Sequence, residues 1–352
     1  MADREYVGAI HVHTTFSDGH SSPMEVIAAA AEAGLDYVVI SDHNSDRCYT
    51  EGLTGRRGRV LCVSAPEVGL RGQPHFLAFG LDDFGAIFNM LPAEALETAA
   101  KCGAKNFIAH PFPAQMPLNP RRPVGWEYWD TDAFCGLELW SYMHDVCDRL
   151  YPWHVFKLAR SHEKLVHGPS PRTLKRYDDL CLRRRVAAIG GLDNHAQQVP
   201  VLGPILPHLD LFRLMRTHVL CGELPADDWL AEEALIAALA DGSSFIALDG
   251  WGDATGFRLE VAGRDETLGL GQEATFASGC KLLVKSPRAA ELRLLRDGRV
   301  LAERQKATAL ELVVETPGVY RVEALLNGRP WVFTNPIYLR AEHGSASDPL
   351  EG

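Results

Sequence analysis

The chain has 352 residues, 46% hydrophobic and 23% charged, enough to bury a core without covalent staples and to form two domains or one large domain with an appendage. Its formal net charge of −11 disfavours extended nucleic-acid binding, which needs a basic footprint. No apolar run approaches the roughly 18–20 residues of a membrane span, residues 1–8 lack the apolar stretch of a signal peptide, and eight scattered cysteines without CxxC spacing read as reduced thiols, so the expectation is a cytoplasmic protein with no membrane partner.

Residues 6–13 alternate around Val7, Ile10 and Val12 and predict a strand. Ser22-Pro23-Met24-Glu25 is a capping box with proline at the first helical position, and predicts a helix that closes at Gly34. Further strands are predicted at 35–40, 60–64, 76–79, 106–109, 136–140 and 186–189. A helix is predicted at 92–102, and a mostly helical region over 145–185, broken at Pro169-Ser170-Pro171. Repeated strand–helix units imply a parallel sheet covered by helices, and seven or eight of them favour a closed barrel. Past residue 250 the pattern changes to short alternating runs at 257–261, 282–284, 291–295, 309–314 and 320–326. Asp297-Gly298 and Asn327-Gly328 between them are hairpin signals. The expectation is an α/β domain over 1–250, a C-terminal β-sandwich domain over 251–342 and a flexible polar tail over 343–352. Trp331 and Tyr338 are read as core residues rather than binding aromatics.

Polar residues with metal-binding chemistry recur where predicted strands stop. His11 and His13 are two apart on the first strand and share a face. Asp18 follows in the loop, His43 follows the second strand and Glu67 the third. His75 sits beside the fourth strand, His110 ends the fifth, and Asp193 and His195 follow the seventh. Taken singly, His75 reads equally as a core histidine, His110 before proline as a turn residue, and Asp18 before glycine as a turn former. Together they recur at one place in the strand–helix unit, the face on which catalytic groups converge in parallel α/β barrels. Imidazole and carboxylate suit zinc, manganese or iron.

The ordered segments HVHTTFSDG, SDHN, a lone Glu, a His, AHP and GLDNH resemble the PHP (polymerase and histidinol phosphatase) superfamily of metal-dependent phosphoesterases over about 195 residues. Later segments, RTHVLC, FIALDGWGDATGF and PWVFTNPIYL, resemble its CehA/McbA-like branch. The resemblance implies a distorted (β/α)7 barrel with two or three divalent metal ions. It implies that His11, His13, Glu67 and Asp193 bind a first ion. Glu67, His75 and His110 would bind a second, and Asp18, His43 and His195 a third. Asn194 stands where the family often has a small residue.

These roles imply a hydrolase in which a metal-bridged hydroxide attacks phosphorus, with Glu67 and Asp193 as catalytic residues. The preferred substrate is a small phosphomonoester or phosphodiester. Carboxylic or carbamic ester hydrolysis uses the same centre and stays open, as does a non-catalytic metal-stabilised binding module. Glu138 in Gly-Leu-Glu-Leu-Trp, His144 six residues on, and Arg121 and Arg122 in a proline-rich loop are candidate substrate contacts. A structural carboxylate, a surface histidine and a solvated arginine pair are their alternatives. A homo-oligomer is compatible with the sequence.

Overall fold

In the computed structural model, residues 4–114, 124–148, 151–199, 203–263 and 267–342 are described. Arg121 and Arg122 and the 343–352 tail lie outside the described residues. The first strand, Arg4–Val12, is buried from Gly8 onward. The predicted capping box forms: Ser22 Oγ accepts from Glu25 N at 3.3 Å, while the Glu25 carboxylate accepts from Ser22 N at 2.7 Å. Helix Pro23–Glu32 therefore starts where expected, and Gly34 leaves it in the left-handed region at φ 79°.

Strands Arg4–Val12, Tyr37–Ile40 and Val60–Ser64 pair in parallel. Lys105–Ile108, Gly136–Ser141 and Ala187–Gly191 also pair in parallel. Between the two sets lies Phe76–Phe79, antiparallel both to Glu67–Val68 and to Lys105–Ile108. This corrects the expectation of a wholly parallel sheet. The reason is chain length: only residues 69–75 separate Glu67–Val68 from Phe76–Phe79, and a parallel crossover needs roughly a dozen or more. Backbone hydrogen bonds join the sets at both seams. Glu67 N donates to Asp42 O and Asn44 N to Glu67 O at one; Leu192 N donates to Ile10 O and His13 N to Asn194 O at the other.

Alternation along the strands sends two sets of side chains in opposite directions. Ile10, Val39, Val63, Leu77, Phe79, Phe107 and Ile189 pack with Leu235 and Leu239 of helix Asp228–Asp241. Ala9, Val38, Ile40, Phe76, Ile108 and Leu137 pack against residues of the other helices, among them Val26, Leu96, Tyr177 and Leu180. No helix among the described residues is long and apolar enough to cross a membrane.

After residue 250 the chain is sheet-rich, with its own buried cluster around Phe257, Leu292, Tyr320 and Trp331. The runs at 282–284 and 291–295 belong to one strand, Lys281–Arg296, paired with Arg299–Val313 through several register shifts. Its turn is Asp297-Gly298, both at positive φ (53° and 74°), as a tight hairpin demands. Asn327-Gly328 does the same between Gly318–Leu326 and Arg329–Thr334. These strands are not a separate sheet. Arg329–Thr334 pairs with Ser244–Ala247, which pairs with Arg216–Cys221 and so reaches Arg4–Val12. Trp331 and Tyr338 are buried, as expected of core residues.

Candidate metal centre

The nine residues that the sequence singles out come together. Glu67, fully buried, sits at the middle. Its Oε2 lies 3.2 Å from His11 Nε2, 3.4 Å from His13 Nε2 and 3.0 Å from His43 Nδ1. Its Oε1 lies 2.8 Å from both His75 Nδ1 and His110 Nε2. Asp193 Oδ1 is 3.3 Å from His13 Nε2 and 3.7 Å from His11 Nε2. On the outer side, Asp18 is 3.2 Å from His195 Nε2 and 3.7 Å from His43 Nε2.

Several groups in this cluster have the spacing to hold an ion: His11, His13, Glu67 and Asp193; His13, Asp18, His43 and His195; His43, Glu67 and His75; and His110, His144 and Asp193. His75 is thus no core histidine, and His43 turns one ring nitrogen to Glu67 and the other to Asp18.

The donors fit metal ions by a test independent of spacing. His11 Nε2, both ring nitrogens of His13, Glu67 Oε2 and His75 Nε2 are buried without a hydrogen-bond partner. Leaving a buried polar atom unsatisfied costs roughly 1–3 kcal/mol. Three of these atoms converge, His11 Nε2 and His13 Nε2 lying within 3.4 Å of Glu67 Oε2, and a cation that accepts their lone pairs explains them. Backbone strain agrees. His11, His110 and Asp193 adopt φ values of 67°, 26° and 51°, where a side chain costs about 1–2 kcal/mol. Strain of this kind persists where a site over-determines it.

Electrostatics keep the carboxylates ionised. Burial pushes Glu67 and Asp193 up, but the surrounding histidines, His11 foremost, hold both well below the usual carboxylate range. Burial opposes charge on His11, yet Glu138, Glu67 and Asp193 leave its pKa well above ordinary. Burial and then His195 push His13 down to about 3, so its ring is neutral with its lone pair available.

Supporting residues fix these groups. Glu138 accepts from His11 Nδ1 at 2.5 Å and from the His110 backbone N–H at 2.8 Å, so its place is beneath the histidines. Asp42 accepts from Thr14 N, Thr14 Oγ1 and Ser17 Oγ, shaping the loop that carries Asp18; sequence reading passed over it. Its signal was adjacency to His43 in Ser41-Asp42-His43-Asn44. Asn194 bonds His208 through Nδ2 at 3.0 Å and receives Ala196 N–H, which tightens the turn between Asp193 and His195.

A cavity of about 450 Å³ adjoins the cluster through His110, Glu138 and His144 and extends to Phe112, Trp140 and Arg172. His144 therefore lines the cavity and is not the surface histidine that the sequence left as its alternative. Arg172 opens helix Pro171–Arg183, with its guanidinium 5.1 Å from the Phe112 ring centre. Nothing in the sequence separated it from other helix arginines.

No curated protein matches the chain. Among solved structures it is similar to a two-domain protein containing a predicted PHP-like metal-dependent phosphoesterase from Bacteroides vulgatus ATCC 8482, at 15% identity over 95% of each chain and a TM-score of 0.41. It is also similar to PsfC from Pseudomonas syringae PB-5123, at 16% identity over 66% of this chain and 88% of that one, with a TM-score of 0.39. Residues 9–165, which contain His11, His13, Asp18, His43, Glu67, His75 and His110, match the family model of the PHP domain.

Proposed function

We propose that this protein is a metal-dependent phosphoesterase of the CehA/McbA-like branch, acting on a small phosphomonoester or phosphodiester. The observation that carries the reading is the convergence of His11, His13, Asp18, His43, Glu67, His75, His110, Asp193 and His195 around buried donor atoms that have no hydrogen-bond partner. His11, His13, Glu67 and Asp193 hold one ion; Glu67, His75 and His110 a second; Asp18, His43 and His195 a third. The donor set suits zinc, manganese or iron. Such ions supply Lewis acidity, which acidifies water and draws charge from a phosphoryl oxygen. Asp193 orients the attacking water and accepts its proton, and Glu67 ties the two inner sites together. The substrate's organic group occupies the cavity beside His110. In the same reading, residues 1–250 form a distorted (β/α)7 catalytic barrel and 251–342 a β-sandwich domain.

The test is metal analysis of the purified protein, followed by a panel of phosphomonoesters, phosphodiesters and aryl carboxylic and carbamic esters with the matching metal restored. Phosphoester turnover that disappears in Glu67→Ala and Asp193→Ala is the expected result. Full activity in either variant refutes the assignment. Turnover confined to the carboxyl or carbamate esters replaces the substrate class, and inertness across the panel at full metal occupancy points to a binding module.

A further inference from the structure

His144 lies close enough to His110 and Asp193 for the three to share an ion, all three donor atoms being within 4.8 Å of one another. The other side of its ring opposes that role. Nδ1 accepts a hydrogen bond from the Ala114 backbone N–H at 3.1 Å. A nitrogen that accepts is unprotonated, so the neutral ring carries its proton on Nε2. Nε2 stands 3.3 Å from Asp193 Oδ2, within reach of that acceptor.

Histidines that bind metals show the reverse arrangement: the nitrogen away from the metal donates to a carboxylate or carbonyl. His11 follows it, with Nδ1 on Glu138 Oε1, and so does His195, with Nδ1 3.1 Å from its acceptor, the Asp193 carbonyl. For His144 to ligate through Nε2, its proton would have to move to Nδ1 and face the Ala114 N–H, donor against donor. A backbone amide cannot give up its proton to relieve that clash.

We infer that His144 is not a tenth metal ligand but a positioning residue: the Ala114 N–H holds its proton on Nε2, which grips Asp193 Oδ2 and leaves Oδ1 facing His11 and His13. The inference rests on the metal-centre reading for what Asp193 does, and on hydrogen-bond geometry alone for the tautomer. Because His144 and His110 both line the 450 Å³ cavity, this grip is applied to Asp193 from the substrate side of the cluster.

Two measurements test it on the full chain. Nitrogen-15 NMR of histidine-labelled protein, with and without Zn²⁺, reads the tautomer directly; a protonated Nε2 and an unprotonated Nδ1 are expected in both states. Elemental analysis after equilibration with Zn²⁺ counts the ions in wild type, His144→Ala and His144→Gln. The stoichiometry is expected to be equal in all three. Zinc affinity should fall roughly ten- to a hundredfold in His144→Ala and recover largely in His144→Gln, whose amide NH₂ reaches the place of Nε2. Loss of one zinc equivalent in both variants, or a protonated Nδ1 in the zinc-loaded protein, overturns the inference. Equal affinity in wild type and His144→Ala also overturns it. Wild-type protein that takes up no zinc, manganese or iron refutes the metal-centre reading instead, and the NMR spectrum still decides the tautomer.

Discussion

Glu138→Gln is the substitution whose effect the structure defines most sharply. The carboxylate is buried and accepts from two donors at once, His11 Nδ1 at 2.5 Å and the His110 backbone N–H at 2.8 Å. Gly191 borders it so closely that a Cβ there would lie 1.9 Å from Oε1, so the side chain has no room to swing away. Glutamine keeps the shape but turns one acceptor into a donor. Whichever way the amide sits, one of the two donors loses its acceptor and meets an N–H. A hydrogen bond to a charged group is worth roughly 1.5–3 kcal/mol. At 1.4 kcal/mol per tenfold, the affinity of the ion at His11 drops roughly 10- to 150-fold if His11 is the donor abandoned. If it is His110, a loss of the same size appears in unfolding free energy of the metal-free protein. Chelator competition measures the first and denaturant unfolding the second. Wild-type values in both assays would refute the claim that Glu138 orients the histidines of the proposed metal centre.

Three further predictions concern the frame. His218 stacks on Phe245 and stands between Glu5 (2.8 Å) and Asp249 (3.0 Å), with Arg258 on Glu5 and Arg216 on Asp249. Burial opposes its charge, but Asp249 and Glu5 raise its pKa above 6.5, so its stabilisation is full below pH 6.5 and fades as pH rises through the folded value. Glu5, pushed up by burial but held below 4.5 by His218 and Arg258, loses its contribution only as pH falls from about 4.5. The thermal midpoint gap between wild type and His218→Gln should therefore shrink from pH 6 to pH 9, and a constant gap contradicts the assignment. Arg321, buried on the Gly318–Leu326 strand, is held by Asp178 of helix Pro171–Arg183 at 2.7 and 2.9 Å. Asp178→Ala leaves it only Glu323 and should cost about 3 kcal/mol in denaturant unfolding; a loss under about 1 kcal/mol would show the pair to be dispensable. Asn335 bonds Ala188 N and O, Ser244 O and Tyr177 Oη with one buried side chain. Asn335→Ala strands these groups, should destabilise by at least about 2 kcal/mol, and is read by the same assay; an unchanged midpoint would mean that they find other partners.

What a sequence reveals here follows from the range of the interactions involved. Ser22 and Glu25, or Asp297-Gly298 and Asn327-Gly328, act over three or four residues, so cap and turns were legible and their geometry follows. The clustering of the nine histidines and carboxylates was legible because strand ends impose a repeating place on the chain, and His11, Asp193 and the rest recur there. The way His11 and His13 meet Glu67 was not. Period-two alternation puts them on one face, yet His11 turns left-handed and the register shifts between Ala9 and Val12. Glu138 and His144 were candidates without assigned partners, because their roles depend on His11 Nδ1, the His110 amide and Ala114, distant in sequence and set by packing. The joining of Ser244–Ala247 to Arg329–Thr334 is likewise a pairing across more than eighty residues that no local pattern encodes. Residue type and local spacing thus determined which atoms could bind metal ions. Tertiary structure alone decided where each lone pair points and which imidazole keeps its proton, since that depends on the hydrogen bond at the far side of each ring.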